Sequence, residues 1–143
     1  MAEHQQYCGE CFARFDAATD VCPHCGAVAS RLSERDYDEK LLHALHHPLA
    51  DVRLRAVIAL GRRASADAAP AIVDCALHHP TDVVQALEII DSLLRIAHSD
   101  AAAFAALARL VEEHPAAVVR NAAARILERA GRNDGSRKSA GRN

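Results

Sequence analysis

Apolar residues recur at helical spacing along most of the chain after residue 36. Within each segment they lie three, four or seven residues apart, which places them on one face of an α-helix. Six such stripes follow one another: Tyr37, Leu41, Ala44 and Leu45; Val52, Ala56, Ala59 and Leu60; Ile72, Cys75 or Ala76, and Leu77; Val83, Leu87, Ile90 and Leu94; Phe104, Leu107, Leu110 and Val111; Val119, Ala123, Ile126 and Ala130. The pattern predicts six amphipathic helices and an all-α fold.

A His-Pro dipeptide separates the two helices of each pair. It occurs at His47-Pro48, His79-Pro80 and His114-Pro115, and the prolines are 32 and 35 residues apart. The residue before a proline is disfavoured in the α conformation, so the chain turns there. A period of this length is typical of helical hairpins that stack on one another. The sequence therefore predicts a short α-solenoid of three helical hairpins over residues 31–131.

The ends of this solenoid carry signals for helix start and stop. Ser33 precedes acidic residues and is expected to cap the first helix, and Gly131 is expected to end the last one. Residues 27–32 carry no strong pattern and are interpreted as a linker. Residues 132–143 are rich in Gly, Ser, Asn and basic side chains and are expected to form a disordered basic tail.

Composition narrows the class of protein further. Half of the residues are hydrophobic but only 3% are aromatic, and alanine is abundant, which favours close-packed helices. The net charge of −2 indicates no general attraction to nucleic acid or membrane. The sequence contains neither an apolar run long enough to span a membrane nor a signal peptide. We therefore expect a cytoplasmic protein, in which clustered cysteines bind metal more often than they form disulfides.

Two Cys-x-x-Cys pairs occupy the first thirty residues. Cys8 and Cys11 form the first pair, and Cys22 and Cys25 follow after ten intervening residues. Two tight turns can direct four thiolates at one point, as tetrahedral zinc requires. We expect one structural Zn²⁺ on these cysteines, in a module over residues 1–30 that depends on the metal for its fold.

Residues 7–27 resemble a shortened zinc ribbon, although two other roles stay open. Rubredoxin-like iron is less favoured because the long aromatic-rich segment between such pairs is missing, and a redox role because no βαβ pattern surrounds the cysteines. Phe12 and Phe15 are the large apolar groups able to cover the site. Since Leu41 and Leu42 give the first repeat more apolar surface than one stripe can bury, we expect Phe12 or Phe15 to dock the ribbon there.

Residues 36–131 resemble HEAT repeats of the short bacterial, PBS-lyase-like kind. The matching features are the proline after each first helix, the Val-Arg pairs at Val52-Arg53 and Val119-Arg120, and the Ala-x-x-Ala-Leu-Gly run over 56–61. Armadillo repeats are a weaker match because they need a third helix per unit. The resemblance implies three HEAT-like hairpins preceded by the zinc ribbon.

The repeats depart from that family pattern at two positions. Such repeats commonly carry an Asp before the proline, which pairs along the stack with the Arg of the second helix, whereas this chain has histidine there. The middle repeat also has Gln85 in place of the Arg. The Asp–Arg ladder is therefore expected to be absent, and the middle repeat to be offset or slightly bent.

Histidines cluster at the predicted turns, and one cysteine lies apart from the pairs. A shared metal is disfavoured because stacked helices lie about 8–10 Å apart, so we expect the histidines to cap helix ends and to add mild pH sensitivity. The histidines are His46, His47, His78, His79 and His114. Cys75 is expected to be a small buried hydrophobe.

A polar stripe on the fourth predicted helix is the candidate partner-binding surface, with a merely solvated face as the alternative. Its members are Thr81, Gln85, Glu88, Ser92 and Arg95. The resemblance favours this helix, because second helices line the concave face of such solenoids.

The functional expectation is a non-enzymatic interaction or scaffold module that binds a protein or peptide and does not act at a membrane. The alternative is a nucleic-acid-binding or regulatory protein that uses the ribbon and the basic tail, which is weakened by eight acidic against four basic residues over 1–40. Related repeats occur in chromophore lyases and in a hydroxylase that holds iron with His-Glu pairs, but this chain is short for a lyase and has no His-Glu dipeptide.

Overall fold

A computed structural model describes residues 4–33, 36–65 and 67–139. Seven helices and two short strands lie within these residues. They are β1 (Gln5–Tyr7), β2 (Arg14–Asp16), α1 (Ala29–Ser33), α2 (Tyr37–Ala44), α3 (Ala50–Arg62), α4 (Ala68–His78), α5 (Val83–Ala97), α6 (Ala102–Glu113) and α7 (Ala117–Ser139). The helices α2 to α7 are the six that the sequence predicts, so the all-α solenoid is confirmed. Glu34 and Arg35, in the predicted start of the first helix, lie outside the described residues.

The solenoid consists of the hairpins α2–α3, α4–α5 and α6–α7. The second helices pack in the order α3, α5, α7, and α4 packs on α6. One continuous core lies between them, and its fully buried members include Leu60, Ile72, Val73, Ile89, Leu93, Ile96, Leu107, Leu110 and Val119. By contrast, α2 has no buried residue of its own. The first hairpin is therefore the thinly packed end of the stack.

Two segments differ from the sequence prediction. The predicted linker over 27–32 contains the short helix α1, whose Leu32 packs on the ribbon core. The last helix runs through Gly131 to Ser139, so the predicted helix end at Gly131 is wrong. The sequence suggested an end there because glycine often adopts a left-handed cap, but Gly131 lies inside the helix. The disorder predicted for residues 132–143 and the domain boundaries stay predictions, and residues 140–143 lie outside the described residues.

Buried histidines organise the first and third turns. The Nδ1 atom of His47 accepts a hydrogen bond from the backbone N–H of Leu49 at 3.0 Å, and that of His114 accepts one from Ala116 at 3.1 Å. These rings therefore bind backbone within the turn, just before the following helix begins, whereas we expected them to cap the end of the preceding helix. Burial lowers the pKa of both histidines, in keeping with an Nδ1 that must stay unprotonated to accept. His78 alone follows the expectation among these three, since its Nδ1 donates to the carbonyl of Asp74 at 2.7 Å.

The arginines of the Val-Arg pairs brace the same two turns. The Nη1 atom of Arg53 donates to the carbonyl oxygens of His47 and Pro48 at 2.8 and 3.0 Å. Arg120 does the same to His114 and Pro115 at 2.9 and 2.6 Å. The same side-chain contact thus holds the first and the third His-Pro turns closed.

Arg53 also joins the first repeat to the second. Its Nη2 atom lies 3.7 Å from the carboxylate of Asp82, and its Nε donates to the side-chain oxygen of Gln85 at 3.0 Å. The expected absence of an Asp–Arg ladder is therefore wrong at this step. The Asp lies two residues after the proline instead of before it, where it also caps α5 by accepting from the backbone N–H of Gln85 at 3.0 Å.

The helices α3 and α5 approach closely at Gly61. A Cβ atom at this position would lie 2.6 Å from the Cβ of Ser92 and 2.9 Å from its Cα. The Ser92 hydroxyl donates to the carbonyl of Val57 at 3.2 Å, which satisfies this buried polar group. A glycine opposite a serine thus allows the first two repeats to pack backbone against backbone.

Two helical glycines are expected to respond oppositely to alanine. Gly61→Ala should lower the free energy of unfolding by about 1–3 kcal/mol, because the new methyl group meets the Ser92 backbone and α3 must move. Gly131→Ala should raise it by about 0.5–1 kcal/mol, because no atom lies within 4 Å of the added Cβ and alanine is the better helix former. Urea unfolding gives the free energy of unfolding of both variants. If both substitutions raised it or both lowered it, the packing described at Gly61 and Gly131 would be contradicted.

No helix in the described ranges is both long enough and apolar enough to cross a membrane.

Candidate metal centre

The two Cys-x-x-Cys turns have the same backbone geometry. In the first, the N–H of Phe12 donates to the carbonyl of Cys8 at 3.0 Å, and the N–H of Gly26 donates in the same way to Cys22 at 2.9 Å. The N–H of Cys8 donates to the carbonyl of Ala13, and the N–H of Cys22 donates to the carbonyl of Ala27, both at 2.9 Å. Phe12 and Gly26 occupy equivalent positions and both have a positive φ, 62° and 76°. The strands β1 and β2 pair in antiparallel register, with Gln6 opposite Phe15, and extend the first turn into a hairpin.

The two turns bring four thiols together. The Sγ atoms of Cys8, Cys11, Cys22 and Cys25 all lie within 4.8 Å of one another, with Cys8 and Cys25 at 3.6 Å and Cys11 and Cys22 at 3.7 Å. A tetrahedral zinc site with Zn–S bonds of about 2.3 Å has sulfur atoms about 3.8 Å apart. All five cysteines are free thiols. The four are therefore placed to bind one metal ion, and their spacing fits tetrahedral coordination.

The acidities of these thiols also fit a cation site. Burial raises the pKa of Cys8, but hydrogen bonds from the backbone of Cys11 and Glu10 outweigh it and lower this pKa to about 7. The backbone N–H of Ala27 lowers the pKa of Cys25, but burial and the three neighbouring thiols raise it to about 12. The thiol of Cys8 therefore loses its proton more readily than the thiol of Cys25. Four thiolates this close need a positive charge between them, which a bound metal ion supplies.

The ribbon has a small core that is separate from the solenoid core. Cys8, Phe15 and Cys22 are buried in it, with Leu32 packed alongside. The expectation that a phenylalanine covers the site holds for Phe15. Phe12 points elsewhere.

Phe12 docks the ribbon on the first repeat. Its ring stacks on His43 at 4.8 Å between centroids and lies 4.6 Å from the ring of His47. Tyr7 contacts His47 edge-on at 5.7 Å, and the Nε2 of His43 donates to the carbonyl of Glu10 at 2.9 Å. The ribbon therefore docks as expected, but on the histidines that follow Leu42 along the chain, and not on the leucines named from the sequence.

This contact accounts for an unfavourable backbone conformation. A left-handed backbone conformation costs a non-glycine residue about 1–2 kcal/mol. Phe12 has this conformation and therefore this penalty, whereas Gly26, at the equivalent position, has no Cβ and avoids it. In return the ring covers part of α2, which buries no residue of its own. A cleft of about 370 Å³ remains between the two parts, lined in part by Tyr7, Phe12 and His43.

Phe12→Gly should separate docking from metal binding. Glycine suits the positive φ, as Gly26 shows in the second turn, so the metal should stay bound. Loss of the ring should weaken the contact by about 1 kcal/mol and speed amide exchange in α2 about fivefold. Exchange in α7 is the internal control. Unchanged exchange in α2 would show that the ribbon is tethered and does not cap the solenoid.

The predicted partner-binding stripe is not one exposed surface. Gln85 and Ser92 are 1% and 0% exposed because they face α3. Thr81 and Arg95 are exposed, and Glu88 is half-buried with an ion pair to Arg95 at 3.7 Å. The exposed face of α5 lies one residue away from the predicted stripe.

That exposed face has its own helical spacing. Val84 is 71% exposed and Leu87 is 37% exposed. Leu87, Glu88, Asp91 and Arg95 follow Val84 by three, four, seven and eleven residues. We call these five residues the α5 face. The sequence prediction places Leu87 in the core stripe. Of that stripe Ile90 is buried, and Ala86, Ile89, Leu93 and Ile96 are the other buried apolar residues of α5.

The remaining candidate groups have structural roles. Cys75 is buried and its thiol donates to the carbonyl of Leu45 at 3.4 Å, as a small buried residue would. Burial raises its pKa to about 11, which disfavours the reactive thiolate. Burial also lowers the pKa of His79. Within the described ranges, the four ribbon cysteines are the one group of three or more ligating side chains close enough to hold a metal.

Comparison with known families agrees with this architecture. A family profile described as HEAT repeats matches residues 38–128, from the first turn of α2 into α7. No curated protein and no solved structure gives a significant match to the chain.

Proposed function

The chain belongs to the HEAT-repeat family, and from this membership we propose that it is a non-catalytic interaction module whose solenoid binds a protein or peptide partner. HEAT repeats stack into extended surfaces that suit such binding. The proposal places the partner on the α5 face, on the central repeat.

The exposure of two apolar residues on the α5 face carries this proposal. Val84 and Leu87 lie in the middle of the stack, exposed to 71% and 37%. Charged side chains, Asp91 and Arg95 among them, border these two residues along the same helix. An apolar centre with a polar rim is the usual composition of a protein-binding surface.

Zinc is the metal that we propose for the four cysteines. Tetrahedral thiolate sites favour zinc, and a site with four protein ligands leaves no open position for catalysis. The metal would hold the Cys8–Cys11 turn in shape, and with it Phe12 and the carbonyl of Glu10, the groups that contact α2. The cysteines must stay reduced to bind it, which favours a reducing compartment such as the cytoplasm.

Affinity purification from the native cell tests the placement of the partner. The protein, a Val84→Glu variant and an Ala105→Glu control are compared; Ala105 is exposed on α6 and is given the same charge. We expect a discrete protein to co-purify with the wild type and the control, and its yield to fall at least tenfold with Val84→Glu. Undiminished recovery with Val84→Glu would remove the partner from the α5 face, and recovery of nucleic acid in place of a protein would favour the alternative function.

A further inference from the structure

A second candidate surface lies on the first hairpin, away from both the metal centre and the α5 face. Three arginines surround a cleft of about 510 Å³ on α3, close to the start of α2. We call it the arginine cleft, and it is lined by Tyr37, Arg55, Ile58, Ala59, Arg62 and Arg63. Neither the metal site nor the packing of the repeats requires this concentration of positive charge.

Two of the three guanidinium groups are available for a ligand. Arg63 pairs with the carboxylate of Asp38 and lies over the ring of Tyr37, 5.0 Å from its centroid. Within the described part of the chain, Arg55 and Arg62 form no ion pair, and both are exposed. The carboxylate of Asp38 is thus already paired with Arg63, and the positive charges of Arg55 and Arg62 remain.

The distance between the two arginines fits a short peptide. They are seven residues apart on α3, which corresponds to about 10 Å along the helix axis. Half-buried Ile58 lies between them along the helix. In an extended peptide, residues one, three and five point to the same side and the outer two are about 13 Å apart. Long arginine side chains can bridge the difference, so a carboxylate, an apolar side chain and a second carboxylate match the cleft in order.

The same features argue against nucleic acid. Single strands bind to aromatic rings on which bases stack, and the one aromatic ring of the cleft, Tyr37, is covered on a face by Arg63. Duplex binding relies on many phosphate contacts along an extended basic surface. Two available guanidinium groups over about 10 Å do not form such a surface, whereas guanidinium groups pair well with single carboxylates.

We propose that the arginine cleft binds an acidic segment of a partner protein, with two carboxylates on Arg55 and Arg62 and an apolar side chain between them on Ile58. This inference rests on the proposed function in that the partner is a protein, but it uses a different surface. An interaction module with two such surfaces can hold one partner at two points or two partners together.

A defined peptide tests the proposal without knowledge of the partner. The probe is fluorescein-labelled Glu-Ser-Leu-Ser-Glu, and its binding to the full chain is measured by fluorescence anisotropy at low ionic strength. The glutamine analogue, Gln-Ser-Leu-Ser-Gln, tests the need for the carboxylates. The test variant is Arg55→Gln with Arg62→Gln, and the control is Arg125→Gln with Arg132→Gln, two exposed arginines of α7 with the same spacing and the same change of charge.

We expect the wild type and the α7 control to bind the peptide equally, and the Arg55/Arg62 variant and the glutamine analogue each to raise Kd at least tenfold. No binding by the wild type, an unchanged Kd in the Arg55/Arg62 variant, or an equal loss in both double variants would overturn the proposal. Tighter binding of a single-stranded oligonucleotide that displaces the peptide would overturn it in favour of nucleic acid. Circular dichroism verifies that each variant is folded.

A Val84→Glu arm separates this inference from the proposed function. Peptide binding should be unaffected by that substitution. If Val84→Glu abolished peptide binding while the Arg55/Arg62 variant retained it, the peptide would bind the α5 face. The assignment of the peptide to the arginine cleft would then be wrong, and the proposed interaction function would stand.

Discussion

Cys22→Ser is expected to release the metal and unfold the ribbon while the solenoid stays helical. The wild type should carry about one zinc per chain, and the variant close to none. The ribbon core contains little besides Cys8, Phe15 and Cys22, so the metal supplies most of its folding free energy. The solenoid core contains no ribbon residue. Metal analysis and far-ultraviolet circular dichroism measure the two effects separately.

Cys75→Ser is the matched control for that experiment. Its side chain is buried between helices and donates to a carbonyl, which a serine hydroxyl can also do. This variant should keep its zinc. Chelation of the wild type should reproduce the Cys22→Ser result. A metal-free wild type with an unchanged ribbon would exclude the zinc site, and a collapse of the helical signal on chelation would show that ribbon and solenoid fold as one unit.

Arg53→Ala is expected to destabilise the solenoid strongly. The side chain is 7% exposed, and besides bracing its own turn it pairs with Asp82 and Gln85 of the next repeat. Removal leaves the side-chain oxygen of the buried Gln85 without its donor, and Asp82, whose side chain is 26% exposed, with its capping bond alone. We expect a cost of about 3 kcal/mol, the lower end of the range for breaking a buried pair. The free energy of unfolding from urea titration should fall by about that amount.

Arg120→Ala is the control for Arg53→Ala. Arg120 braces the third turn through the same two carbonyls, but it is half-buried, and within the described residues it forms no ion pair with another repeat. Because Arg120 is half-buried, its loss should cost about 1.5 kcal/mol, the lower end of the range for hydrogen bonds with a charged group. Equal costs at the two positions would show that the contact between repeats contributes nothing, and that the bracing of the turns is the whole effect.

The architecture could be predicted because its signals are local. The helical period, the three His-Pro turns and the spacing of Cys8, Cys11, Cys22 and Cys25 each depend on residues close in sequence. The structure agrees with these predictions. The family resemblance added the order of stacking, which periodicity alone does not contain.

What escaped prediction depends on contacts between distant residues. Gln85 and Ser92 are polar, so the sequence places them on an exposed stripe for partner binding, but they contact Arg53 and Gly61 of the preceding repeat and are buried. Nothing within α5 itself indicates this. The predicted stripe therefore contains buried as well as exposed residues.

Phe12 is a second example of the same limitation. The sequence leaves open which of Phe12 and Phe15 covers the metal site and which docks the ribbon; Phe15 covers the site and Phe12 docks. Its use as a contact to His43 and His47 depends on a left-handed backbone at the end of the first turn. The equivalence of Phe12 with Gly26 is visible in the aligned Cys-x-x-Cys pairs, and it was the one available sign that this residue has a special conformation.

Photo-crosslinking from the α5 face tests the central claim most directly. A benzophenone amino acid is placed at position 84 in cells that contain the natural partner, and at position 105 on α6 as the control. The account predicts one discrete crosslinked protein from position 84, absent from position 105 and lost when Leu87→Glu is added. The same products from both positions, or none from position 84, would contradict the assignment of the α5 face as the partner-binding surface.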